Sequence, residues 1–276
     1  MNPTFLSEIG AGVDRVRSAI ASASRRTGMD FSYLYSQAKV ESGLNAHAKA
    51  RTSSASGLYQ FLDQSWLGAV KQHGAKHGLD WAASCISSDG RGRLCVRDPA
   101  MRDAVMNLRE QPEASALMAA ETASDNKQAI EAGVGRAANA TDLYMGHFLG
   151  PKGAVDFLRQ MAADPSQRAD RVMPAAAGSN RPVFYNADGS PRSLAEVYQR
   201  FSAKLGDGNA PLPTTVPAEQ RLAGADMPNL PVGLARALSG DVDADGDSIG
   251  LDDIMAQAKP QTARLAYLML AGLGDS

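Results

Sequence analysis

The sequence holds little of what fixes a protein's class at a glance. Two cysteines in 276 residues exclude a disulfide scaffold and a four-cysteine zinc site. Neither sign of charge is in excess: 28 Lys+Arg stand against 30 Asp+Glu, a net of −2. That balance excludes a general nucleic-acid binder. No apolar run approaches the ~18 residues of a membrane-crossing helix, and the longest, Leu265 to Leu273, is better suited to docking on protein. The opening Met1-Asn2-Pro3-Thr4-Phe5 has neither the basic nor the apolar region of a secretory signal. It predicts a chain that stays in the cytoplasm unless a lysis route or dedicated export moves it. What is present is globular: 44% hydrophobic and 21% charged residues, enough for one large or two modest domains.

The near-zero charge averages two unlike parts. From 206 onward, ten acids face four bases, a net of −6, leaving +4 for residues 1–205. Five prolines between Pro211 and Pro231 mark a linker at the change in texture. The chain therefore divides into an N-terminal helix at 1–27, a body at 28–205, a Pro-rich linker at 206–234 and an acidic tail at 235–276.

Apolar spacing of three and four residues predicts helices through most of the body. The first runs over 5–27, with Ile9, Val13, Val16 and Ile20 as its stripe. The next spans about Asp30 to Ser42, with Asp30 as N-cap, and Leu58 to Lys76 reads as a third. Residues 84–98 read as a surface loop carrying both cysteines. Helices are expected again at 99–110 (after Asp98-Pro99), 112–133 and 139–149, and a short one from Asp164-Pro165. Val183-Phe184-Tyr185 reads as extended and is followed by a turn. Ser193 and Glu196 form a capping box for a helix at 194–205. The fold class is mainly α, with at most a small β-hairpin.

Glu41 is the most informative residue. It falls seven after Leu34 and three after Ala38, on the apolar side of its helix. Burial disfavours the ionised form of a carboxyl, and a protonated carboxyl can serve as a general acid. Position alone favours the plainer reading, a solvated Glu at a helix end, since most Glu residues are solvated.

The residues around it carry a resemblance. Glu41-Ser42-Gly43-Leu44-Asn45 is followed by Ser53-Ser54-Ala55-Ser56-Gly57-Leu58-Tyr59-Gln60-Phe61. Then come Leu108-Arg109, Ser115-Ala116-Leu117-Met118-Ala119, Asp142-Leu143-Tyr144-Met145-Gly146-His147, Phe184 to Pro191 and Glu196-Val197-Tyr198, in that order. This ordered set, over about 28–205, resembles the soluble lytic transglycosylase family, glycoside hydrolase family 23, in its phage-endolysin-like branch. The resemblance implies a lysozyme-like fold and cleavage of the β-1,4 bond between N-acetylmuramic acid and N-acetylglucosamine in peptidoglycan glycan strands. It implies Glu41 as the single acid/base, closing a 1,6-anhydro ring with no cofactor. Most glycosidases need a second carboxylate. Glu121 is the one weighed here, against a helix-surface role.

By the same resemblance Ser53, Gly57, Tyr59, Gln60 and Tyr144 line the substrate site. Gly57 permits close backbone approach. Gln60 orders the turn or touches sugar, and Tyr59 stacks on sugar or packs. Tyr144 orients the acid. Where the family has Ala-Tyr-Asn-Ala-Gly, this chain has Leu143-Tyr144-Met145-Gly146-His147. Alternatives are a muramidase, or a wall-binding or assembly module without activity. The activity belongs at the periplasm or cell wall, with phage lysis, flagellar and secretion machinery as settings.

In the tail, Asp241, Asp243, Asp245 and Asp247 with Gly246 match the opening of a calcium loop, closed by Asp253 (or Asp252). An acidic solvated loop explains the same residues. Cys85 and Cys95 suit a disulfide or two free thiols equally. His73 and His77, at i and i+4, lack a third metal ligand and read as helix-surface residues.

Overall fold

The computed structural model describes residues 3–51 and 53–206, with backbone alone for 3–11. These residues are mainly helical with one small two-stranded antiparallel sheet. The linker and tail beyond 206 and the Ile9 side chain lie outside the described residues.

Helix α1 (Pro3–Thr27) puts Val16, Ala19, Ile20 and Ala23 into the common core, while Val13 is exposed. Helix α2 (Phe31–Ser42) begins where Asp30 accepts the Tyr33 N–H and ends at left-handed Gly43. Both bounds agree with the expected caps. Leu34, Ala38 and Glu41 are buried along one face.

The expected continuous helix at 58–76 is not formed. Leu58 to Gln60 instead make a tight turn in which Gln60 N–H donates to Gly57 O, and Ser56 bridges to Phe61. Helix α3 (Asp63–His73) starts only after it, and a 3-10 turn at Ala75–His77 follows. Arg109 holds the turn in place. Its guanidinium donates to Ser54 O (2.9 Å), Phe61 O (3.0 Å) and Asp63 Oδ1 (2.9 Å). Gly57 sits at φ +82°, and a Cβ there would overlap the Arg109 carbonyl oxygen. The partner of this turn is some fifty residues away, which local periodicity cannot register.

Helix α4 (Asp80–Cys85) leads into a hairpin of β1 (Ile86–Ser88) and β2 (Leu94–Val96), with Ser87 opposite Cys95. The loop expected at 84–98 is therefore partly a hairpin. Its turn is set by Asp89, whose carboxylate accepts the N–H groups of Arg91 and Arg93. Both thiols are free. Cys85 Sγ donates to Trp81 O, and Cys95 Sγ lies beside Ser87 Oγ.

Helix α5 (Pro99–Asn107), capped by Asp98 as expected, precedes the long α6 (Pro112–Val134). Helix α6 packs against α1 and against α7 (Ala140–Ala163). Small residues Ala116, Ala119, Ala120 and Ala123 are buried on α6 and let the helices approach. Helix α7 passes the expected stop at 149. It kinks at Gly150 (φ 74°, ψ 161°), before Pro151, and resumes to Ala163; Pro removes the hydrogen bond that would have kept it straight. Asp164-Pro165 therefore ends a helix rather than starting one. Short helices α8 (Ala169–Val172), α9 (Pro174–Ser179) and α10 (Arg181–Phe184) follow. The extended run expected at 183–185 is thus largely helix, with Tyr185 alone extended after it. The Arg192 guanidinium donates to the carbonyls of Pro182 and Val183. Helix α11 (Leu194–Leu205) opens with the expected Ser193/Glu196 capping box and packs on α7 and α2.

One buried knot fastens α6, α7 and α11. Asp142 is fully buried. Its carboxylate accepts both Arg136 terminal nitrogens, the Asn139 N–H (2.9 Å) and the Tyr198 hydroxyl (3.0 Å). Removing one partner of such a pair strands the other in low dielectric. Asp142→Ala is expected to lower stability by about 3–5 kcal/mol, read as a fall in thermal midpoint of roughly 6–20 °C. An unchanged midpoint in calorimetry contradicts that role.

Candidate active site

Glu41 occupies the last turn of α2, with its side chain 1% exposed. Gly43 ends the helix immediately after it. The Ser42 hydroxyl lies 2.8 Å from Leu58 O and 3.1 Å from Ala38 O, tying the helix end to the 57–60 turn.

The carboxyl is approached from α7. Tyr144 Oη donates to Glu41 Oε1 at 3.2 Å, and His147 Nε2 lies 3.2 Å from the same oxygen. The other oxygen, Oε2, is buried and has no hydrogen-bond partner among the described residues. Gln37 Oε1, one turn earlier on α2, is in the same condition. Buried polar atoms are normally satisfied; these two are exceptions on one helix, and the described residues hold five others elsewhere.

The surrounding groups are defined by burial. The Tyr144 ring packs on Phe201 of α11 (5.4 Å) and His147 (5.7 Å). Burial, and then the Glu41 charge and hydrogen bond, push the Tyr144 hydroxyl well above its ordinary range. Burial and Glu41 do the same to Tyr33 on α2. Both therefore remain O–H donors at all working pH. Lys204 of α11 is pushed down by burial and by Arg200, against the attraction of Glu41.

The remaining expected site residues serve the turn beside the acid. Tyr59 is 1% exposed and its hydroxyl donates to Leu34 O at 3.0 Å. Of the two readings, packing is the one this burial fits. Gln60 is buried and its side-chain N–H groups donate to Ala48 O and Gly57 O, so it orders the turn. The close approach at Gly57 is to the Arg109 backbone. Ser53 is half-buried, with its hydroxyl accepting from Ala55 N–H. Of the six residues expected at the catalytic and substrate site, the structure joins Glu41 and Tyr144 directly.

Glu121 is not a surface residue, and its carboxyl is engaged by groups other than Glu41. It is 4% exposed and pairs with Lys76 (2.8 Å), His77 (2.6 Å) and His73 (3.5 Å). His73 and His77, expected on the surface, are partly withdrawn from solvent by this clasp, with side chains 12% and 2% exposed. Burial raises the Glu121 carboxyl, but Lys76 and His77 outweigh it and hold it below the ordinary range. Its contribution to stability is therefore present above about pH 4.3 and is lost as acidification protonates the folded form. Among the described residues no group of three or more His, Cys, Asp or Glu is placed to hold a metal ion. Asp241, Asp243, Asp245, Asp247 and Asp253 lie outside the described residues.

The residue that motif reading missed is His147. It stood in view only as a departure from the family pattern, and the signal for it was its spacing of three from Tyr144, one helical turn.

No family model matches the chain.

The arrangement holds one carboxyl out of water, with one oxygen engaged from α7 and the other unengaged. Such a group can give a proton to a bound acceptor and take one back. Tyr144→Phe removes only the hydroxyl. The expected outcome is a loss of any Glu41-dependent turnover by about 10-fold or more, with the thermal midpoint changed by a few degrees at most. A variant of full activity contradicts the orienting role.

Proposed function

We propose that the chain is a peptidoglycan lytic transglycosylase with a lysozyme-like catalytic body. Glu41 protonates the glycosidic oxygen between N-acetylmuramic acid and N-acetylglucosamine. The substrate's own acetamido group stabilises the cationic sugar centre. The Glu41 carboxylate then takes the proton of the C6 hydroxyl as the 1,6-anhydro ring closes. One observation carries this reading: the acid placed by the ordered motifs is buried, and Tyr144 from 103 residues away donates to it. The engagement of Glu121 by Lys76 and His77 favours a mechanism with one carboxylate over a muramidase with two. Tyr144 contributes by stabilising the carboxylate in the intermediate stage, since its donated hydrogen bond strengthens when Glu41 loses its proton.

The partner is the glycan strand, met at the periplasm or cell wall. The +4 of residues 1–205 favours encounter with an anionic wall polymer. No cofactor enters the mechanism. No helix among the described residues is long and apolar enough to cross a membrane.

Purified peptidoglycan is the substrate for the test. Wild type is expected to clear a suspension and release 1,6-anhydro muropeptides, each one water lighter than a hydrolytic product by mass spectrometry. Glu41→Gln is expected to lose about 100-fold or more. Reducing-end products identify a muramidase instead. Binding without release by wild type identifies a wall-binding module, and equal release by both proteins overturns the Glu41 assignment.

A further inference from the structure

We propose that His147 is a positioning residue that shares one proton with Glu41 and keeps the acid loaded toward neutral and alkaline pH. The proposal rests on the reading of Glu41 as acid and base.

The geometry comes first. His147 lies one turn after Tyr144 on α7, so both side chains leave the same helix face. Its ring is tilted 41° against the Tyr144 ring at 5.7 Å. Nε2 stands 3.2 Å from Oε1, the oxygen that also accepts Tyr144. Glu41 is 1% exposed in its side chain, whereas His147 is 24% exposed. In this contact the imidazole is the member open to solvent, and so the one able to exchange a proton with it.

The charges follow from the distance. At 3.2 Å one proton can reside on either partner, as a neutral acid beside a neutral imidazole or as a carboxylate beside an imidazolium, and removing it costs one of these two interactions. The other groups facing Glu41 do not exchange charge in the same way. Tyr33 from α2 and Tyr144 from α7 stay neutral hydroxyls. Lys204 from α11, with Arg200 beside it, is disfavoured as a cation by burial, and its Nζ is buried without a hydrogen-bond partner among the described residues. Histidine is the side chain whose charge ordinarily changes between pH 5 and 8.

The proton balance closes over one turnover. With the shared proton on the carboxyl and the imidazole neutral, Glu41 gives that proton to the glycosidic oxygen as the C–O bond breaks. The carboxylate takes the C6 hydroxyl proton as O6 bonds to the anomeric carbon. The pair again holds one proton and His147 ends as it began. Between turnovers the proton moves between Nε2 and the carboxyl, and solvent replaces it through the exposed imidazole.

The test uses His147→Gln, which keeps an N–H but does not titrate, and Glu41→Gln. Muropeptide release is measured from pH 5 to 9, each profile normalised to its own optimum. The expected result for His147→Gln is an alkaline limb displaced toward lower pH. This reads as about tenfold less normalised activity at the alkaline end, with KM within about twofold of wild type. Superimposable profiles overturn the proposal. Independently of activity, the four histidines give four imidazole NMR signals, and the one missing in His147→Gln belongs to His147. In Glu41→Gln that signal is expected to titrate at lower pH than in wild type, because the carboxylate that favours the imidazolium is gone. Identical titration in the two proteins overturns the shared proton. Should wild type release no muropeptides, the reading of function fails while the NMR comparison still decides the pairing.

Discussion

A single carboxyl withdrawn from water at the end of α2 is the constraint on which this molecule's arrangement depends. Glu41 is 6% exposed, and a buried carboxyl is costly unless other groups meet it. Those groups come from α7, where Tyr144 and His147 both reach Oε1. Helix α7 can present them only if its own start is held. The Asp142 knot does this two residues before Tyr144, drawing on Arg136, Asn139 and Tyr198. Phe201 and Phe148 pack at 4.9 Å beside the Tyr144 ring, so α11 closes the third side with apolar surface. The site and the core are therefore the same packing problem.

Long polar side chains hold together the segments that do not pack as helices. Arg109 fastens the turn at 57–60 through the Ser54 and Phe61 carbonyls and Asp63. Glu121 gathers His73, Lys76 and His77 from the end of α3 and the turn after it. Asp170 accepts from Arg168 and from the Tyr185 hydroxyl, which hold its carboxyl at about 2 against the opposing effect of burial. Each clasp satisfies backbone or charge that an irregular segment leaves exposed to loss. The Glu121 and Asp170 clasps also depend on carboxyls held below their ordinary range, so protonating them in acid loosens those two segments.

Much of the fold was legible in the sequence, because helix caps act over three or four residues. Asp30, Gly43, Asp98 and the Ser193/Glu196 box each closed or opened the expected helix. The position of Glu41 on a buried stripe followed from the same periodicity. Reading failed where a partner lay far along the chain. Leu58-Tyr59-Gln60 has helical apolar spacing, yet Arg109 and Gly57 make it a turn. His73, His77 and Glu121 have the composition of solvated helix faces, and only their mutual approach withdraws them from solvent. Tyr59 matched a site position, but its hydroxyl is used by Leu34 O.

By itself the sequence determined the helical class, most helix ends, the acidic tail set apart by a Pro-rich stretch, and one carboxyl aimed at the apolar side. These are properties of local spacing and composition. Only the tertiary structure decided which groups meet that carboxyl. It chose His147, which no motif had marked, and left Tyr59, Gln60 and Gly57 to shape the turn. It gave Glu121 to two histidines and a lysine. The reason is physical: hydrogen bonds and charge pairs act over about 3 Å, and chain segments a hundred residues apart reach that distance only after the core has packed.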